Sequence, residues 1–253
     1  MTTYRVDLSY DGSGFHGFAR QTDDIRTVQG VLESALERVF REPIELVVAG
    51  RTDTGVHARQ QVVSFSSTRT VDARRIARAV TSMLGPEVVA LSAAEVEDGF
   101  SARFDAEWRA YRYRILNRPA PDPLRRHTVW HVERPLDVER MHVAAQGFVG
   151  SHDFASFCRR RPCAGTERTV YEAVVRRHDD LVVFSVRAKA FCHQMVRSMT
   201  GYLVDVGSGR RSPEGVADVL DARDRSVTPG PAPPTGLVLW EVSYPATPDP
   251  EER

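Results

Sequence analysis

Lysine is almost missing from this chain of 253 residues. Lys189 is the only one, and the other 33 basic residues are arginines. A GC-rich coding sequence accounts for most of that ratio, so the ratio alone names no partner. Cysteine is scarce as well. Cys158, Cys163 and Cys192 are too few for a disulfide framework, and Cys158 and Cys163 lack two further ligands at zinc-site spacing. All three read as free thiols, and no metal site is expected. No window approaches the ~18 consecutive apolar residues of a spanning helix, and residues 1–7 carry no apolar signal region. The expectation is a soluble, cytoplasmic protein with no membrane partner. Net charge is missing too: 34 basic residues balance 34 acidic ones, which argues against a uniformly basic nucleic-acid binder.

What is present is unevenly spread. Residues 1–107 hold 12 arginines and 16 acids, whereas residues 108–178 hold 14 arginines and 7 acids. The middle of the chain is therefore strongly basic. Its cations are arginines, whose planar fork suits phosphates and stacked bases better than an ammonium does. Arg159-Arg160-Arg161 lies in that segment and reads equally well as a solvated loop or a phosphate contact. Length and pattern suggest an N-terminal α/β half over 1–107, a basic C-terminal α/β half over 108–244 and a disordered tail over 245–253.

Alternation over Tyr4–Tyr10 predicts a strand. A formal G-x-G-x-x-G follows at Gly12, Gly14 and Gly17, but no helix opens on it, so a dinucleotide site is rejected. Apolar spacing predicts a helix from Thr27, its N-cap, to Glu42. Leu46–Ala49 and Gln61–Phe65 read as strands, Asp72–Leu84 as a helix stopped by Gly85-Pro86, and Val88–Val96 as a strand. That β-α-β-β-α-β order is the split βαβ pattern of a ferredoxin-like unit. Trp108–Asn117, Tyr171–Val175, Leu181–Arg187 and Leu237–Tyr244 are predicted strands. Met141–Phe148, Phe191–Val206 and Ser212–Leu220 are predicted helices. The second half thus repeats the alternation loosely.

Four stretches carry candidate chemistry. In Ala49-Gly50-Arg51-Thr52-Asp53-Thr54-Gly55-Val56-His57-Ala58 a polar loop interrupts two strands. Arg51 and Asp53 are two apart and can share a face, so the guanidinium would orient the carboxylate as a nucleophile or general base. Asp-x-Gly is also ordinary turn chemistry. Arg109-Ala110-Tyr111-Arg112-Tyr113-Arg114 puts two tyrosines on one face of a strand and cations beside them, which suits base stacking with phosphate contact. A half-buried edge strand has the same pattern. In Lys189–Gly201 helical spacing puts His193, Arg197 and Gly201 on one face. Gly236-Leu237-Val238-Leu239 opens the last strand.

Together these strings, in this order and with Tyr10-Asp11-Gly12 before them, resemble the tRNA pseudouridine synthase A (TruA) family over nearly the whole chain. The family commonly has tryptophan where Phe18 stands and alanine where Thr54 stands. The resemblance implies an α+β fold of two ferredoxin-like, RRM-like halves. These form a mostly antiparallel mixed sheet flanked by helices, with an active-site cleft between them. It implies cofactor-free isomerisation of uridine to pseudouridine at tRNA positions 38, 39 and 40, with tRNA as partner and a homodimer as the working unit. Asp53 would be catalytic, Tyr111 would lie against the target base, Arg51 would fill the flipped base's place, Arg197 would hold the carboxylate, and His57 and Leu237 would contact substrate. Asp53 either attacks the sugar or base or abstracts a sugar proton. The rival readings are a non-catalytic RNA-binding module, a hydrolase of the same N-glycosidic bond, and a synthase acting on other RNA uridines.

Overall fold

The structure, a computed structural model, describes residues 1–22, 24–159 and 165–245. Arg160, Arg161, Cys163 and the tail from residue 246 lie outside the described residues. The elements in chain order are β1 (Thr2–Tyr10), α1 (Val28–Phe40), β2 (Val47–Val48), β3 (His57–Ser67), α2 (Ala73–Leu84) and β4 (Val88–Val96). They continue with β5 (Trp108–Leu116), β6 (Trp130–His131), α3 (Val138–Gln146), β7 (Gly150–Asp153), β8 (Glu167–His178) and β9 (Leu181–Ala188). The chain finishes with α4 (Met195–Gly207), α5 (Val216–Ala222) and β10 (Leu237–Ser243).

Among the described residues the ten strands form one sheet, with the path β4-β1-β3-β10-β5-β9-β8-β7; β2 pairs with β3, and β6 with β5. The order β4-β1-β3-β2 of the first half recurs as β10-β5-β9-β8 in the second, so the ferredoxin-like order seen in residues 1–100 is present twice. Along the path only β3 and β10 run parallel, through the pairs His57–Val238 and Ala58–Leu239. The remaining neighbours are antiparallel.

Local chemistry explains the helix starts. Thr27 and Asp72 accept hydrogen bonds from Gly30 N and Arg75 N, and Asp137 does the same for Arg140 N. Alternation on β1 sends Tyr4, Val6, Leu8 and Tyr10 into the core. There Tyr4, Phe40 and Phe65 bring strands and α1 together, with ring centroids 5.2 to 5.5 Å apart. Phe148, Phe154, Phe157 and Tyr202 form the matching cluster under α3 and α4.

One helix differs from expectation. The helix predicted from Phe191 begins only at Met195, because Gln194 adopts a left-handed conformation (φ 64°) that no right-handed helix continues through. Residues 189–194 are therefore a non-helical strap. Among the described residues no helix is long and apolar enough to cross a membrane, and no cluster of three or more metal-type side chains occurs. Cys158 and Cys192 are free thiols.

Candidate active site

Gly50 ends the pairing of β2, and the chain rejoins the sheet at His57, the first residue of the parallel seam. The loop between is braced from beneath. Gln61 Nε2 donates to Gly50 O at 2.7 Å. The Tyr10 and Thr52 hydroxyls bond at 2.8 Å, and Phe18 N donates to Thr52 O at 3.0 Å. Val56 N donates to Asp53 O, and Gly55 supplies the positive φ that this turn requires. Phe18 is wholly buried against Tyr10, with the ring centroids 6.3 Å apart. Burial pushes the Tyr10 phenol up to about 12.

Asp53 is held from the other half of the sheet. Its Oδ2 lies 3.2 Å from Arg197 Nη1, and its Oδ1 lies 3.2 Å from His193 Nε2. Arg197 Nε donates to Ala232 O at 2.7 Å, which leaves the guanidinium little freedom to turn. The expected Arg51–Asp53 pair does not form. Thr52 is pinned by Tyr10, Arg51 is exposed, and the carboxylate faces α4 instead. His193 and Arg197 do converge, though not as neighbours on one helix: His193 comes from the strap and Arg197 from the first turn of α4.

Tyr111 lies close to Gly50, whose Cβ, if it had one, would stand 3.8 Å from the phenolic oxygen. Its ring meets Phe191 edge-on at 5.0 Å. Burial first, and then the nearby Tyr10 and Asp53 charges, raise the Tyr111 phenol well above its ordinary range, so it stays protonated. Tyr113, on the same face, is not available. It is wholly buried and donates to Pro233 O at 2.7 Å. Leu237 pairs with Tyr113 in the ladder and lines the same cleft as Tyr111. His57 does not line that cleft. It is buried, with Nδ1 accepting from Gly12 N at 3.1 Å and Nε2 bonded to His127 O at 2.7 Å. Desolvation lowers its pKa, which agrees with a neutral ring.

Arg109 was not singled out by the alternating pattern, which treats it as one cation among several. It is 8% exposed, and its hydrogen-bond partners among the described residues are backbone carbonyls. Nε and Nη2 donate to Ala49 O at 3.1 and 2.8 Å, Nη1 to Lys189 O at 3.0 Å and Ala106 O at 3.2 Å, and Nη2 to Arg103 O at 2.5 Å. One side chain thereby ties the start of the Asp53 loop, the strap and the 101–106 turn together. Carbonyl partners leave no signature in a sequence.

The cleft so framed has a volume of about 1080 Å³. Arg51, Arg103, Arg159, Arg168, Lys189 and Arg197 line it, and Asp53 is its only acid among the described residues. A cation-lined cleft of this width, with one anchored carboxylate and a protected phenol, suits a polyanion presenting a single residue for reaction.

The class follows from comparison with known proteins. A family model described as tRNA pseudouridine synthase matches residues 8–105 and 144–245, and the chain belongs to that family. Among its relatives is a tRNA pseudouridine synthase A from Frankia casuarinae, 48% identical over 256 residues that span 99% of this chain and 92% of the relative. The enzyme of that name from Streptomyces avermitilis is 45% identical over 251 residues (96% and 88%), and that from Cutibacterium acnes 43% over 259 residues (100% and 92%).

Proposed function

We propose that this protein isomerises uridine to pseudouridine in the anticodon arm of tRNA, at positions 38, 39 and 40, without a cofactor. The observation that carries the reading is the anchoring of Asp53 by Arg197 and His193 inside a cleft whose other charged lining residues, among the described residues, are cations. A base stacked in RNA must leave its neighbours to be reached. Arg51, exposed at the cleft, takes the vacated space. Tyr111 receives the uracil ring, and Leu237 closes the apolar side. Asp53 begins the reaction by attacking the sugar or base or by abstracting a sugar proton. The C1′–N1 bond breaks, the uracil turns, the C1′–C5 bond forms, the C5 proton leaves to water and N1 takes up a proton in its place. Nothing is oxidised or reduced, so the chain's own groups suffice. Arg197 is a positioning residue, and His57 supports the loop from behind.

The basic lining supplies backbone contact, and RNA shape supplies selectivity. The working unit is a homodimer with tRNA spanning both subunits, and its substrate puts its work in the cytoplasm. The test is an anticodon-arm tRNA transcript carrying tritium at C5 of uridine. Wild type releases tritium and Asp53→Asn does not. Free uracil without tritium release would mean a hydrolase, and tight binding without either product would mean a binding module or a different target RNA.

A further inference from the structure

Phe104 is 77% exposed, whereas the protein's other ten phenylalanines are buried or, at Phe100 and Phe191, half-buried. An isolated exposed aromatic on a loose loop would carry little meaning, but this loop is fixed. Ser101 N donates to Asp105 Oδ2 at 2.7 Å, and Phe104 N donates to Ser101 Oγ at 3.3 Å. Ala102 is wholly buried, with its N bonded to Ser64 Oγ at 3.0 Å and its O accepting from Tyr244 at 2.6 Å. Arg109 Nη2 holds Arg103 O. The backbone is bolted on both sides of Phe104 while the ring is left in water.

The ring also stands in a particular place. The same Arg109 nitrogen that binds Arg103 O binds Ala49 O, two residues before Arg51. Phe104 and Arg51 therefore belong to one lip of the cleft, and both line it. The Arg103 guanidinium lies 5.2 Å from the Phe104 ring centroid and covers one face. The other face has no aromatic neighbour among the described residues.

Extracting one base from an RNA stack leaves its neighbours with bare faces, and single-stranded bases are commonly taken up by protein aromatic rings. The geometry points to Phe104, backed by Arg103, as a stacking platform for an unpaired RNA base adjacent to the extracted uridine. Such a platform stabilises the opened RNA without touching the reacting atoms. The inference rests on the proposed function, since it needs an RNA substrate with an extracted base.

Phe104→Ala, Phe104→Leu and Phe104→Trp test it, assayed by tritium release from the C5-labelled transcript and by thermal melting. Because the ring is exposed and the backbone is held independently, all three variants keep the wild-type melting temperature within about 2 °C. Phe104→Ala and Phe104→Leu raise KM for tRNA about tenfold with kcat within twofold of wild type, and Phe104→Trp restores KM. A transcript with 2-aminopurine beside the target uridine is quenched on binding wild type and Phe104→Trp, but not Phe104→Ala. Wild-type KM in Phe104→Ala, or a Phe104→Leu variant as good as wild type, overturns the platform. Absence of tritium release from wild type overturns the functional reading instead, and the two failures are thereby separate.

Discussion

Arg197 Nη1 stands 3.2 Å from Asp53 Oδ2, a contact that spans 144 residues of chain. It joins the first turn of α4 to a loop between β2 and β3, and so makes the site the property of both ends of the protein. The geometry sets the first predictions.

Asp53→Asn keeps the shape of the carboxylate but not its charge. Tritium release should fall by roughly a thousandfold or more, with KM for tRNA within about threefold. The variant leaves the Arg197 guanidinium, 13% exposed, without its counter-charge, which should cost on the order of 1–3 kcal/mol. A chemical melt beside the activity assay separates the two effects. An active variant would remove Asp53 from the chemistry.

Arg197 uses two different nitrogens, Nε for Ala232 O and Nη1 for Asp53. Lysine offers a single point donor and cannot reach both. Arg197→Lys should therefore lower kcat by roughly a hundredfold while tRNA affinity, measured by filter binding, changes little. Wild-type kcat would show that the carboxylate needs no fork.

Tyr111→Phe should retain tRNA affinity, because the ring and its edge contact with Phe191 remain, while kcat falls. The pH profile carries a sign. A phenol whose folded pKa is raised stabilises the fold fully below its unfolded pKa, and that stability is lost as pH climbs through the folded value. Tyr10, ordinarily at 10.0, is pushed up to about 12 by burial, and burial also raises Tyr111, Tyr113 and Tyr244. The melting temperature should thus be insensitive to tyrosine ionisation up to about pH 10 and fall between pH 10 and 12. A flat melting curve through that window would contradict the burial of these groups.

Phe18 is wholly buried beneath the Asp53 loop, with its N bonded to Thr52 O. Phe18→Trp, which installs the residue common in the family, should overpack this site and lower stability by about 1–3 kcal/mol unless Tyr10 shifts. Calorimetry of the single variant checks it, and an unchanged melting temperature would show that the site relaxes freely.

Local pattern made much of this fold legible. Val88–Val96 has the bounds that alternation assigns it, and Thr27 caps the helix it was expected to cap, whereas Asp72, read as the first residue of its helix, is that helix's N-cap. The Asp53 loop was visible because a strand stops abruptly at Gly50. What periodicity does not carry is the partner across the molecule. Arg51 is the nearer cation in sequence, yet Arg197 holds Asp53, and spacing within one segment contains no trace of that choice. Gln194 looked like one more helical residue; its left-handed backbone depends on where the strap must go. Arg109 escaped notice because a strand pattern says only that it shares a face with Tyr111 and Tyr113, not that carbonyls wait for it there.

The parallel seam between β3 and β10 is two residue pairs long, and it lies directly beside the loop that bears Asp53. Tyr111, Arg197 and Leu237 come from beyond it. On the roles proposed for these residues, catalytic competence is an all-or-none readout of assembly. Any break that parts the two halves of the sheet, whether by truncation, proteolysis or a slipped register at His57 and Val238, leaves no smaller, weaker enzyme behind, because neither side of the break owns a whole site.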